Sequence, residues 1–402
     1  MTSPQANSQA HIKPAKPRLS QSGSLLLDIV RFTAAFVVLV HHFVADQFSK
    51  GWPHIGIFGH EAVCVFFVLS GFVIRFITVT RAGTIADYAI DRASRIYSVV
   101  VPALLFTVLC EAIAAFVNLA LYNAIRDPFP WSMVPAQMFA NMTFTSQLWG
   151  YGISPLTNDP FWSLSYEVVY YIVYALIHYR VANRWLWVGL ILLVSGPNIA
   201  LLFPVWMLGA WTCDLYLYFK KQATGVRSAA ILFALLVAVL YLVRHPLITL
   251  IRVTGNTERV VWLTHAASGL PYFSHMLDDA GQLPWISQLS VSFFIVGTMT
   301  GAFMLLGLLA LDRFHPSLPP AVTRWTRIVA DSTFALYLFH LPLIILLVVL
   351  VGHQISGIGP SLAMVLGIPL IIIPIGMGCD RLKNLMRDAL HRRFPNAKAP
   401  RS

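Results

Sequence analysis

The chain has 402 residues, 57% of them hydrophobic and only 11% charged, with a mean hydropathy of +0.70. That is too little polar side chain to cover a water-soluble globule, so the expected solvent is lipid. The net charge of +11 does not point to nucleic acid, because the basic residues fall in short connections between apolar stretches, where they report membrane topology.

Crossing a hydrocarbon core of about 30 Å takes roughly 20 apolar residues per helix. Ten stretches approach or reach that length: 24–44, 60–79, 96–118, 161–178, 185–203, 204–219, 228–244, 284–311, 328–349 and 357–377. They are continuously apolar rather than alternating, which favours helices over a barrel. The expected fold is all-α, a polytopic membrane helical bundle of about ten transmembrane helices over residues 21–380. A disordered cytoplasmic tail is expected over 1–20, because that segment is polar, rich in Ser, Gln and Pro, and lacks the small-residue cleavage site of a signal peptide. A basic cytoplasmic tail is expected over 381–402.

With the N-terminus inside, 22 Lys and Arg lie on inner segments and five on outer ones (Lys50, Arg126, Arg244, Arg252 and Arg259). The excess of basic residues inside predicts a multi-pass protein of the cell inner membrane with both termini cytoplasmic. No hydrophilic stretch is long enough for a second folded domain. The segment from Asn118 to Trp162 mixes Pro, Gly and aromatics with amphipathic stretches, as expected of an interfacial loop that roofs a cavity. Cys64, Cys110, Cys213 and Cys379 sit in or at the ends of predicted spans without metal-type spacing, so they read as small apolar filler, and neither a disulfide framework nor a metal site is expected.

The first span, SLLLDIVRFTAAFVVLVHHFV, carries Asp28, Arg31, His41 and His42. An Arg or Asp at the centre of a membrane helix costs about 2.5–3.5 kcal/mol on insertion scales, so such residues normally face the bundle interior or a wet cavity and mark function. Arg31 and His42 are eleven residues apart, which at 100° per residue returns to within about 20° of the same face and separates them by about 16 Å along the axis. An arginine near the inner surface suits a phosphate-bearing ligand, and a histidine farther along can take a proton from an attacking hydroxyl. CoA has the corresponding shape, with phosphates at one end and a thioester on an extended arm. The competing reading is a structural Asp28–Arg31 ion pair and an interfacial His42. His41, about 100° around the helix from His42, is expected to face a neighbour or the interface.

Farther along the chain, GHEAVCVFFVLSGFVIR runs from Gly59 to Arg75 and includes Ser70. YAIDRASRIYSVVVPAL carries Arg92, Arg95 and Tyr97, and PFWSLSYEVVYYIVYAL carries Trp162, Ser163, Ser165 and Glu167. DSTFALYLFHLPLI carries Tyr337 and His340. Together with Arg31, ten intervening residues and His42-Phe43, these five blocks resemble, in order and over nearly the whole chain, the acyltransferase 3 family of membrane proteins. Cys64 stands where that family commonly has an acidic residue ahead of its Phe-Phe pair, and Ser98 stands where proline is usual.

The resemblance implies an O-acyltransferase that moves an acyl group, acetyl foremost, from acetyl-CoA or another acyl-CoA donor to a hydroxyl of a carbohydrate or glycoconjugate acceptor, as in polysaccharide biosynthesis. It implies His42 as general base, Arg31 with Arg92 and Arg95 as the CoA-phosphate site, and Glu167 as an orienting or second acid-base group. Asp28, Ser70, Trp162, Ser163 and His340 are further candidates, and no metal is required. Read from the residues alone, Arg92 and Arg95 could equally anchor topology, Glu167 could cap its helix, and His340 beside Pro342 could be a packing histidine. A transporter or flippase of a lipid-linked saccharide would also place Arg and His along a wet intramembrane path. Acceptor-dependent release of CoA separates the two classes.

Overall fold

A computed structural model of the chain describes residues 18–50, 58–81, 83–126, 131–222, 290–314 and 319–394, with isolated positions between 227 and 235. Residues 1–17 of the tail expected over 1–20 and most of the expected span over 228–244 lie outside the described residues. Twelve helices follow in chain order among them. These are α1 (Gln21–Phe43), α2 (Gly59–Thr80), α3 (Ile85–Val117), α4 (Leu119–Ile125), α5 (Val134–Met142), α6 (Trp162–His178), α7 (Arg184–Ser195) and α8 (Pro197–Phe219), then α9 (Ser290–Phe314), α10 (Pro320–Asp331), α11 (Thr333–Val351) and α12 (Ile358–Arg393). Seven of them, α1, α2, α3, α8, α9, α11 and α12, are long and apolar enough to cross a membrane. The chain is an all-α, multi-pass membrane bundle.

Helix starts follow local chemistry. Ser20 caps α1 by accepting a hydrogen bond from the Gly23 amide at 3.1 Å. Thr84 and Asp87 form a reciprocal capping box at the start of α3, which satisfies two otherwise orphaned amides. At 33 and 36 residues, α3 and α12 are about 50 Å long and exceed the bilayer's apolar thickness. Arg92 and Arg95 lie in the first three turns of α3, and the basic run from Arg381 ends α12 and is helical as far as Arg393.

The fifth and sixth stretches divide elsewhere than expected. The predicted break before Pro204 does not occur, since Pro204 lies inside α8. The chain turns instead at Gly196, whose φ of 89° suits glycine, and Pro197 takes the first helical position, where its missing N–H costs nothing. As a result α7 has 12 residues, about 18 Å, and does not reach across the hydrocarbon core by itself.

The helices around the site are held by close crossings. A Cβ on Gly71 of α2 would stand 2.1 Å from the Trp206 carbonyl oxygen, and one on Gly209 of α8 would stand 1.9 Å from that of Val68. The two backbones touch where neither residue has a side chain, the small-residue packing favoured between membrane helices. Beyond the C-terminal ends of α1 and α11, Ser49–Lys50 pairs in parallel with Ile355–Ser356. The Ile355 amide also donates to Phe48 O at 2.9 Å, and Gln354 Nε2 donates to Asp46 O at 3.0 Å. This clasp fixes the register of the two helices that carry His42 and His340.

Gly209→Val should destabilise the detergent-solubilised protein by more than the about 1–3 kcal/mol typical of overpacking, because the atom met is backbone and cannot rotate away. Gly189→Ala, where an added Cβ meets nothing within 4 Å, should be neutral or stabilising by up to about 1 kcal/mol through helix propensity. Thermal unfolding of both variants checks this, and equal melting temperatures for the two would contradict it.

Candidate active site

Five helices bring polar residues to the site. On α1 these are Arg31 and His42; on α2, Ser70; on α3, Arg92 and Arg95; on α6, Glu167 and Tyr171; on α11, Tyr337 and His340. Two cavities lie along them. The one nearer the N-terminal end of α1, termed the inner cavity, has a volume of 140 Å³ and is lined by Arg31, Arg92, Arg95, Ser70, Glu167 and Tyr171, together with Ser163 and apolar residues of α2. The outer one, of 510 Å³, is lined by His41, His42, His60, Trp162, Tyr166 and Asp159, with Asn198 and the roof residues Gln147 and Ser154. The structure thus gathers Arg31, Arg92, Arg95, Ser70, Ser163 and Glu167 at one station, and His42 and Trp162 at the other.

Asp28 is in neither lining. Its Oδ1 lies 3.7 Å from Arg31 Nη1, so Arg31 both pairs with a carboxylate and faces the inner cavity. Glu167, expected as an orienting or second acid-base group, accepts from Ser70 Oγ at 2.7 Å and from the Tyr171 hydroxyl. The Arg92 guanidinium stands 5.9 Å from the centre of the Tyr171 ring, within cation–π range. Three arginines facing one cavity with one lining carboxylate leave excess positive charge, the electrostatics of a polyanion site.

The partner of His42 is His340. His340 Nε2 lies 3.1 Å from His42 Nδ1, which is also 2.9 Å from Val38 O, and His340 Nδ1 is 2.9 Å from Leu336 O. A carbonyl can only accept, so the network assigns a proton to both Nδ1 atoms. Neutral His340 then offers Nε2 as an acceptor to the His42 Nδ1–H. His42 Nε2 is left unprotonated at the cavity that His42 lines, the tautomer required of a general base. His340 is buried behind it and orients the ring. Sequence spacing left His340 undecided, and 298 residues separate the pair.

His41 also lines the outer cavity. Its ring occupies the space a Cβ on Gly59 would fill, at 2.4 Å, and meets His42 and His60 edge-on at 5.2 and 5.9 Å. Residues of the roof were not singled out by the sequence. Among them, burial pushes the Asp159 carboxyl above the ordinary carboxylate range, with a hydrogen bond to Ser154 opposing it. The roof is pinned from below by Glu111 of α3, which is fully buried. It accepts from Tyr122 Oη at 2.6 Å, Arg126 Nη1 at 2.8 Å and the Thr157 amide at 3.0 Å. The next residue, Asn158, donates to Thr107 Oγ1 and Leu338 O, both at 2.9 Å.

A family model, Acyl_transf_3, described as an acyltransferase domain, matches residues 25–376. The chain belongs to this family. The match takes in the polar residues of all five site helices, both cavities and the roof, so the protein is a membrane acyltransferase whose polar stations lie inside the family domain. Neither a curated protein nor a solved structure matches it.

Glu111→Gln should destabilise the acyltransferase by about 3–5 kcal/mol, the usual cost of breaking a buried ion pair, because it removes the carboxylate that Tyr122, Arg126 and Thr157 share. Thermal denaturation in detergent measures this. An unchanged melting temperature would show that the roof is held by other contacts.

Proposed function

We propose that the acyltransferase moves an acyl group, acetyl foremost, from acyl-CoA to a hydroxyl of a carbohydrate or glycoconjugate, in the cell inner membrane with both termini cytoplasmic. The observation that carries the reading is the two-station axis. An arginine-lined cavity lies toward the end of the bundle that bears the basic segments, and a histidine-lined cavity roofed by polar residues lies at the other.

The guanidinium groups of Arg31, Arg92 and Arg95 suit the CoA phosphates through charge-assisted, bidentate hydrogen bonds, and the donor's extended arm then points along the site helices toward His42. In the outer cavity, Trp162 and Tyr166 offer apolar faces to a sugar ring, and Asp159, Asn198 and Gln147 offer partners to its hydroxyls. His42 Nε2 takes the proton of the acceptor hydroxyl as its oxygen attacks the thioester carbonyl. The tetrahedral intermediate collapses with cleavage of the C–S bond, and the imidazolium returns the proton to the departing sulfur, giving an ester and CoA thiol. During transfer the positive charge on His42 is shared through its Nδ1–H with Val38 O and His340 Nε2. Glu167 with Ser70 and Tyr171 orients groups in the donor station rather than His42.

His42→Ala should lower acceptor-dependent release of CoA from acetyl-CoA by about 100- to 10,000-fold, the usual range for a lost general base, while the protein still inserts and accumulates. His41→Ala should do much less, since the ring bonded to His340 remains. Thiol release in membranes that contain the acceptor measures both. The reverse ranking of the two histidines would undo the assignment, and saccharide uptake without CoA release would indicate a transporter.

A further inference from the structure

The two cavities have two lining residues in common, Val63 of α2 and Tyr337 of α11. Both are buried. Val63 lies one helical turn beyond Gly59, where the His41 ring rests, and Tyr337 lies one turn before His340 on the same face of its helix. They therefore stand between the arginine station and the histidine pair.

Tyr337 is held firmly in that position. Its hydroxyl donates to Pro160 O at 2.9 Å and shares a hydrogen bond with Ser163 Oγ at 2.8 Å. Its ring packs against Phe66 with centroids 5.4 Å apart. A tyrosine fixed at its tip and along its face does not swing aside readily, and β-branched Val63 has little rotamer freedom on a helix.

We propose that Val63 and Tyr337 form a cross-section filter that selects the acyl group. This rests on the reading that acyl-CoA occupies the inner cavity and is attacked beside His42. The part of the donor arm next to the sulfur is an unbranched chain, so an acyl group of the same cross-section, such as acetyl or propionyl, follows the path the arm itself takes. An α-branched acyl group is wider at the carbon beside the carbonyl and meets the Val63 methyls and the Tyr337 ring before its carbonyl reaches His42. The filter discriminates by branching rather than by length along the chain.

The test compares labelled acetyl-, propionyl- and isobutyryl-CoA as donors in membranes of the source cell, which carry the natural acceptor, with the resident copy replaced by wild type, Val63→Ala or Val63→Leu. The reading is the ratio of rates between donors, which does not depend on how much folded protein each variant yields. Wild type should transfer acetyl and propionyl in preference to isobutyryl. Val63→Ala should raise the isobutyryl-to-acetyl ratio at least about 10-fold, since one methylene in an apolar pocket is worth about 10- to 200-fold in discrimination. Val63→Leu should lower the isobutyryl-to-acetyl ratio and leave the propionyl-to-acetyl ratio near that of wild type. Ratios unchanged from wild type in both variants, with acetyl transfer intact, would overturn the filter and leave the acyltransfer reading standing. A wild type that transfers label from none of the three donors would overturn the donor assignment and the filter with it.

Discussion

An ionisable side chain carried into hydrocarbon needs water, a partner or the interior of a bundle, and in this chain most partners come from helices far apart in sequence. His42 of α1 meets His340 of α11, and Glu167 of α6 takes the hydroxyl of Ser70 on α2. Glu111 of α3 gathers residues of the outer roof. Each of these contacts joins two segments that packing of apolar side chains alone would leave free to slide. The close crossing at Gly71 and Gly209 and the clasp between Ser49–Lys50 and Ile355–Ser356 then fix the depth at which the polar groups meet.

Depth gives the arrangement its chemistry. Helices that run the full thickness of the bilayer place residues seven to eleven positions apart at different levels while keeping them on one face. One helix can thus serve the inner cavity with Arg31 and the outer cavity with His42. On α11 a step of a single turn sets Tyr337 between the cavities and His340 behind the proposed base. The proposed donor and acceptor would differ in charge, and the two stations differ in the same sense: one has an excess of arginines and the other a mixed polar and aromatic lining.

The spans were legible because continuous apolar sequence is itself the constraint that lipid imposes, and Arg31 and His42 were legible because charge in such sequence is costly. Glu111 carried the same signal within the third span and went unread. The break at Gly196 was hidden by Pro204. A proline suggests a helix end in water, but membrane helices tolerate it where neighbouring groups satisfy the freed carbonyl. The partners of His42 and Glu167 on other helices could not be read at all, since a contact across 298 or 97 residues is decided by which helices pack together, and no local spacing records that. The family resemblance supplied Glu167 and His340 among the candidate residues without supplying their partners, which are His42 for His340 and Ser70 and Tyr171 for Glu167.

The proposed two-station axis requires the donor to enter from the cytoplasmic face and no other. The direct measurement supplies labelled acetyl-CoA, which does not cross membranes, to the outside of sealed vesicles of opposite orientation that contain the acyltransferase and its acceptor. Inverted vesicles, which expose the arginine-lined end, should incorporate label, and right-side-out vesicles should do so only after permeabilisation. Equal incorporation by intact right-side-out vesicles would contradict the account, because the donor would then be reaching the histidines from the roofed side.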